Sequence, residues 1–128
     1  MSAQHPVRVL LVDDHRAILA GLTHLIDGEY PRLQVAGVAS SGAEAMRLSR
    51  HSSPDVILLD LDLGDENGMD LIPELTRATA AKVIVLTSQR DPGLRERARQ
   101  LGAQGFVLKD EPAAAVLSAI KNATQPSR

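Results

Sequence analysis

Three aspartates, a threonine and a lysine each follow directly on a short apolar run, and together they could support phosphoryl transfer. They are Asp13, Asp14, Asp60, Thr87 and Lys109. Carboxylates that share a crevice repel one another, so either one of them holds a proton or a cation lies among them. Oxygen ligands, with no histidine or cysteine in the pattern, favour Mg²⁺, for which Mn²⁺ can substitute. A carboxylate can also attack phosphorus, provided that a metal, an ammonium and a hydroxyl neutralise the phosphoryl oxygens.

Each of these residues also has an ordinary structural explanation. The acidic pair Asp13-Asp14 suits a helix start, Asp60 suits a turn, Thr87 suits a cap, and Lys109 suits a solvated surface. Their shared placement, each at the end of an apolar run, favours the functional interpretation. The scattered histidines do not join the pattern, and we interpret His15, beside the acidic pair, as a residue at a helix start.

The apolar runs predict five strands that are covered on both faces, because they are short, nearly continuous and rich in β-branched residues. They span 7–12, 35–39, 56–59, 83–86 and 105–108. Amphipathic stretches between them predict five helices, with a capping box at Ser41 and Glu44. Asp91-Pro92 and Glu111-Pro112 predict two helix starts, and Gly102 a helix stop.

Strict alternation of strand and helix predicts an α/β fold of (βα)5 type, a flavodoxin-like, doubly wound parallel sheet with strand order 2-1-3-4-5. In such sheets the functional crevice lies beyond the carboxyl ends of strands 1 and 3, where the aspartates fall. We expect a tail over 1–6, one domain over 7–123, and a tail or the start of a linker over 124–128.

Composition excludes several other classes. The chain has 128 residues, no cysteine and a net charge of -2, which indicates neither a disulfide scaffold nor a strongly basic surface for nucleic acid. No apolar run approaches the roughly 18–20 residues of a membrane span. We therefore expect a cytoplasmic protein without a membrane partner. Four arginines between 90 and 99 indicate a solvated face or a docking surface for an acidic partner.

The ordered set of motifs resembles the receiver domains of two-component response regulators over about 7–123. The subclass it resembles most carries a helix-turn-helix (LuxR-type) DNA-binding output domain. The matching segments are 9–15, 54–60, 68–70, 83–88 and 102–110.

The resemblance implies a role for each matching residue. Asp60 would accept the phosphoryl group, and Lys109 and Thr87 would contact its oxygens. Asp13, Asp14 and Asp60 would hold Mg²⁺, with the backbone carbonyl of Asp62 as a further ligand. Phe106 would be the switch aromatic that follows Thr87.

Some positions depart from the family pattern. Gly64 replaces a common proline, which we expect to loosen the loop, and Asp110 replaces another. Asp62 and Gln89 stand where side chains tune the lifetime of the phosphoaspartate, so we expect an altered lifetime.

The resemblance implies a sensor histidine kinase as phosphodonor, a possible homodimer on phosphorylation, and contact with DNA only through an output domain that these residues do not contain. It implies a signalling domain rather than an enzyme with an external substrate. Two alternatives stay open. One is a receiver-like binding module that is never phosphorylated. The other is an aspartyl-phosphate phosphatase, suggested by the acidic pair Asp60 and Asp62, although that pair follows the third strand instead of the first.

Overall fold

The computed structural model describes residues 5–125, which form one parallel sheet flanked by helices. The strands are β1 Val7–Val12, β2 Leu33–Ala39, β3 Val56–Leu59, β4 Lys82–Thr87 and β5 Gly105–Leu108. Their order across the sheet is β2-β1-β3-β4-β5, and every neighbouring pair is parallel. This confirms the predicted fold and strand order. The expected tails at 1–6 and 124–128 lie largely outside the described residues.

The helices cover both faces of the sheet because alternate strand residues point in opposite directions. They are α1 Arg16–Asp27, α2 Gly42–Ser52, α3 Gly68–Ala78, α4 Leu94–Leu101 and α5 Ala113–Thr124. Leu10 of β1 packs in a core shared with α2, α3 and α4, and Leu11 packs in a second core with α1 and α5. Within residues 5–125, none of the helices has the length and apolar character that crossing a bilayer requires.

Two predicted helix starts differ from the structure. Helix α4 begins at Leu94 after Gly93, not at Pro92. Asp91 and Pro92 instead form a turn closed by the Leu94 N–H on the Asp91 carbonyl (3.2 Å), because Gly93 adopts a left-handed φ of 81° that turns the chain into the helix. Helix α5 begins at Ala113, one residue after Pro112. The Gly102 stop is confirmed, with a φ of 119°.

The predicted capping box at α2 is half formed. The Ser41 side chain accepts a hydrogen bond from the Glu44 N–H at 3.2 Å, as expected. The Glu44 carboxylate reaches back to the N–H of Ser40 (2.8 Å) rather than to that of Ser41. Glu66, from elsewhere in the chain, accepts a further N–H of this helix terminus, that of Gly42, at 3.0 Å.

A short hairpin follows β3 that the sequence did not predict. Asp62–Leu63 pairs antiparallel with Glu66–Asn67, and Gly64 turns between them with a φ of 62°. Proline cannot adopt that φ, which accounts for the glycine at this position. Glu66 of the hairpin accepts the Gly42 N–H at the start of α2, which connects the loop after Asp60 to the rest of the domain.

Candidate functional site

Two of the predicted aspartates lie buried side by side at the carboxyl edge of the sheet. Asp13 and Asp60 follow the adjacent strands β1 and β3, and each is only 1% exposed. Their backbones continue the sheet by one residue, since the Asp13 N–H donates to Ala39 (3.0 Å) and the Asp60 N–H donates to Val12 (2.9 Å). The register of the sheet therefore fixes the backbone positions from which these two carboxylates extend.

Lys109 lies between the two buried carboxylates from the side of β5. Its Nζ is 3.1 Å from Oδ2 of Asp60 and 3.1 Å from Oδ2 of Asp13. Burial alone would lower the pKa of Lys109, but the two carboxylates outweigh burial and hold its pKa above the usual value. The lysine is therefore an ammonium that compensates part of the buried negative charge. Its backbone N–H donates to the Thr87 carbonyl at 2.8 Å, which ties β5 to the end of β4.

Asp60 has one carboxylate oxygen toward Lys109 and one toward its own loop. Oδ1 accepts the Asp62 N–H at 3.1 Å, and Oδ2 accepts the ammonium. Burial raises the pKa of Asp60 above its usual value and the Asp13 charge adds to the rise, and together they outweigh the lowering by the Asp62 N–H and the Lys109 ammonium. The ionised carboxylate is thus incompletely compensated, which suits a side chain that gains stability from a further positive group.

One oxygen of the site is buried without a hydrogen bond. Among the described residues, Asp13 Oδ2 faces the Lys109 ammonium at 3.1 Å but outside hydrogen-bonding geometry. The oxygen can therefore accept a further ligand beside the ammonium. Lys109 supplies one positive charge to the three carboxylates of the cluster, so the site retains negative charge that a cation can neutralise.

His15 also lies in this cluster, which corrects the expectation of an all-oxygen site. Its Nδ1 is 2.8 Å from Asp13 Oδ1, 3.2 Å from Asp14 Oδ1 and 3.6 Å from Asp60 Oδ2. His15 precedes α1 as predicted, but its side chain makes no capping hydrogen bond to the helix. The hydrogen bond to Asp13 raises the pKa of His15, although the Lys109 charge lowers it.

The side chains present fit a divalent cation. Asp13, Asp14, His15 and Asp60 each offer a donor atom, and these four atoms all lie within 4.8 Å of one another. Asp14 is partly exposed, so the cluster opens to solvent on its side. Carboxylate oxygens suit Mg²⁺ or Mn²⁺, and Asp13 Oδ2, which makes no hydrogen bond, can accept such an ion.

Thr87 and Gln89 lie on the opposite wall. Thr87 is fully buried, and its hydroxyl accepts the Gln89 N–H at 3.1 Å. The Gln89 side chain donates through Nε2 to Asp62 Oδ1 at 2.7 Å. The two positions expected to tune phosphoaspartate lifetime therefore bridge the loops after β3 and β4, a contact that no sequence pattern predicted.

Phe106 lies half-buried on β5 with a cation against its ring. The guanidinium carbon of Arg95 is 4.8 Å from the ring centroid, and Arg95 also donates to the Phe106 carbonyl at 3.3 Å. The arginines of this segment thus have specific partners, since Arg99 pairs with Glu96 and Arg90 pairs with Asp110.

Gly68 supports the loop that carries Asp60. A Cβ added to Gly68 would lie 2.6 Å from the Asp60 carbonyl oxygen and 2.6 Å from the Leu61 Cα. Real side chains do not approach backbone so closely, so only glycine lets α3 begin this near the loop. The glycine that contributed to the family resemblance therefore has a direct structural reason.

Comparison with known proteins identifies a family for this arrangement. The family model described as "Response regulator receiver domain" matches residues 9–121. The transcriptional regulatory protein LiaR of Bacillus subtilis is 37% identical over 93% of the chain and 56% of its own length. The DNA-binding transcriptional activator DevR/DosR of Mycobacterium tuberculosis is 38% identical over 91% and 54%. A crystal structure of a LuxR-family response regulator from Aurantimonas sp. SI85-9A1 superposes with a TM-score of 0.83 at 30% identity, covering 91% of this chain and 83% of its own. The chain spans about half the length of the curated relatives.

Proposed function

Since the chain belongs to the family of response regulator receiver domains, we propose that Asp60 is its phosphoacceptor. The chain is a receiver domain of a two-component response regulator, close to the LuxR-type transcriptional regulators. The observation that supports Asp60 is its setting: a buried carboxylate with Lys109 at 3.1 Å and with Asp13 and Asp14 beside it. Residues 7–123 form the receiver domain in this proposal.

The reaction is an in-line transfer between a phosphohistidine of a sensor kinase and Asp60. A carboxylate oxygen of Asp60 forms a bond to phosphorus, the phosphorus–nitrogen bond breaks, and the kinase imidazole keeps the electron pair. The product is an acyl phosphate, which water later hydrolyses to restore Asp60. Lys109 lies where its ammonium can neutralise a phosphoryl oxygen during the transfer.

Asp13, Asp14, Asp60 and the backbone carbonyl of Asp62 would hold the Mg²⁺ ion that family members use. When bound, the ion supplies charge neutralisation for the carboxylates and the phosphoryl oxygens. The chain's own part is to hold the carboxylates in place, which the register of β1 and β3 does. The buried Asp13 oxygen without a hydrogen bond supports this assignment.

The signal would pass from Asp60 to Thr87 and Phe106. Within residues 5–125, the Thr87 hydroxyl accepts one hydrogen bond and donates none, so its proton is available to a phosphoryl oxygen. Movement of Thr87 toward the phosphoryl group would shift the loop after β4 and the adjacent Phe106, whose β5 pairs with β4. We propose that this change promotes homodimerisation and controls transcription in the cytoplasm through an output domain. The names of the relatives, which describe transcriptional regulation, support the transcriptional part of this proposal.

The test is phosphorylation of the purified domain by acetyl phosphate, with and without Mg²⁺. The wild type should take up one phosphoryl group only with Mg²⁺, and Asp60→Asn should take up none. Asp55→Asn is the matched control, because Asp55 lies at the opposite end of the sheet, where it accepts the Arg8 N–H at 2.8 Å. A folded wild type that no small donor or histidine kinase phosphorylates would support the unphosphorylated binding module. Steady turnover of p-nitrophenyl phosphate would support the phosphatase.

A further inference from the structure

His15 is the one donor of the acidic cluster that the proposed phosphoryl transfer does not use. Its side chain makes no capping hydrogen bond to the helix that it precedes, and its Nδ1 is instead hydrogen-bonded to Asp13 Oδ1 at 2.8 Å. A helix start favours acidic or hydroxyl side chains, so a histidine has no general advantage there. The ring instead points Nδ1 at the carboxylates of Asp13, Asp14 and Asp60.

The separations in the cluster bracket those expected of ligands around one ion. Adjacent ligands of an octahedral or tetrahedral centre lie about 3.0–3.4 Å apart when each is about 2.1 Å from the metal. Nδ1 of His15 lies at 2.8, 3.2 and 3.6 Å from the three carboxylate oxygens. The ring is also 55% exposed, so an ion can reach this side of the cluster from solvent. Lys109 supplies one positive charge to three carboxylates, and Asp13 Oδ2 is buried without a hydrogen bond, so the cluster retains negative charge that a cation can neutralise.

We propose that His15 Nδ1 is a nitrogen ligand of the divalent cation at this site, which makes the site favour first-row transition ions over Mg²⁺. The inference rests on the proposed function, because it concerns the same metal. Imidazole nitrogen binds Co²⁺ or Ni²⁺ far better than it binds Mg²⁺, which prefers oxygen. An all-oxygen set would discriminate less between these ions. His15 is thus a determinant of metal specificity.

A competing explanation assigns the ring to charge balance. In that case His15 would occupy the place of a cation, and an incoming ion would have to displace it. The two explanations predict opposite effects of removing the ring. If His15 is a ligand, its removal lowers the affinity for transition ions. If His15 occupies the place of a cation, its removal raises the affinity for every divalent ion.

The experiment measures Co²⁺ and Mg²⁺ binding to the folded domain by calorimetry in the wild type and His15→Gln. Glutamine keeps an oxygen donor, so Mg²⁺ binding should change by less than about threefold, whereas Co²⁺ binding should fall by about tenfold or more. His24→Gln is the matched control, because His24 is an exposed histidine of α1, and it should leave both affinities unchanged. Equal changes for both ions, or a gain for both, would overturn the inference.

A second readout does not depend on affinity. The Co²⁺-loaded wild type should show a hyperfine-shifted, exchangeable imidazole N–H proton in NMR, which His15→Gln should lose and His24→Gln should keep. Its presence in all three proteins would overturn the assignment. Asp14→Asn separates this inference from the function on which it rests. If Asp14→Asn weakens both ions and His15→Gln weakens neither, only the histidine assignment fails. If Asp14→Asn has no effect on either ion, the metal site itself fails.

Discussion

Replacing Asp60 with asparagine should make the metal-free domain more stable. The Asp60 carboxylate is 1% exposed and lies beside the equally buried Asp13. Burial raises its pKa, so the charged form is less favourable in the folded chain than in the unfolded chain. The folded pKa lies above the unfolded one, so this destabilisation develops as pH rises through the unfolded pKa and is complete above the folded pKa. Asparagine has nearly the same shape and carries no charge.

The expected gain is modest because Lys109 already offsets part of the cost. Its ammonium lies 3.1 Å from both buried carboxylates, and in the variant it keeps Asp13 as a partner. Substitutions of this kind change the free energy of unfolding by about 0.5–3 kcal/mol, and we expect about 1 kcal/mol here. For a domain of this size that gain corresponds to a rise in Tm of about 3–6 °C.

The assay is thermal unfolding by calorimetry or circular dichroism in the presence of a chelator. Tyrosine fluorescence is unsuited because the chain has one Tyr and no Trp. Adding Mg²⁺ should then raise the Tm of the wild type more than that of Asp60→Asn, since binding stabilises only a protein that has the full site. Asp55→Asn, whose carboxylate accepts a backbone hydrogen bond away from the cluster, should gain no stability.

Two results would refute this reasoning. If Asp60→Asn lowers the Tm of the metal-free protein, then the ion pair with Lys109 outweighs the burial of the charge. If Mg²⁺ raises the Tm of both proteins equally, then Asp60 does not belong to the metal site. Either result would count against the electrostatic account of the cluster.

Three further substitutions test other parts of the site. Gly68→Ala should destabilise the domain by about 2 kcal/mol or more and slow phosphorylation, because its Cβ would meet backbone at 2.6 Å. Gly21→Ala, in open space on α1, should instead stabilise the domain by up to about 1 kcal/mol. Calorimetry measures the stability of both variants, and acetyl phosphate labelling measures their phosphorylation. Gln89→Ala removes the hydrogen bond across the mouth of the site and should shorten the phosphoaspartate lifetime severalfold in a label-decay assay; an unchanged lifetime would exclude a shielding role. Arg95→Ala removes a cation–π contact of about 0.5–1 kcal/mol that restrains the Phe106 ring. In the unphosphorylated variant, the fluorine NMR signal of fluorinated Phe106, the only phenylalanine, should therefore move toward the position that it has in the phosphorylated wild type. An unmoved signal would show that the contact does not restrain the ring.

The sequence predicted most of the fold because the strands are unbroken apolar runs. Strands β3 and β5 have the predicted limits, and β1 and β3 carry Asp13 and Asp60 to neighbouring points at one edge of the sheet. The carboxyl ends of parallel strands lie at one edge of the sheet, so the residue that follows each strand also lies at that edge. The positions of these site residues could therefore be predicted from the apolar runs and the strand order. Lys109 and Thr87 follow in the same way from β5 and β4.

The contacts that the sequence did not predict all join separate loops. The His15 ring, the bond from Gln89 to Asp62 and the anchor from Glu66 to Gly42 depend on side-chain directions that tertiary packing sets. The apolar pattern carries no information about them, since all these groups are polar and lie outside the five strands of the main sheet. The start of α4 was also predicted too early. The prediction placed Pro92 at the first helical position, whereas the helix begins at Leu94 after Gly93, which has a left-handed φ.

The hydrogen bonds around Thr87 limit how far phosphorylation can shift the domain. A new bond from its hydroxyl to the phosphoryl group is worth about 1.5–3 kcal/mol, because its acceptor is charged. Pulling the loop toward Asp60 would also disturb the bond from Gln89 to Asp62, a charge-assisted bond at the exposed mouth that offsets part of this gain. The difference corresponds to a shift of about tenfold in the ratio of the two conformations, well short of a complete switch. In the proposed function, homodimerisation or contact with an output domain would supply the rest, and the isolated domain should remain a mixture of both conformations when fully phosphorylated. A fluorine signal from Phe106 that shifts completely to one position in the phosphorylated monomer would contradict this argument.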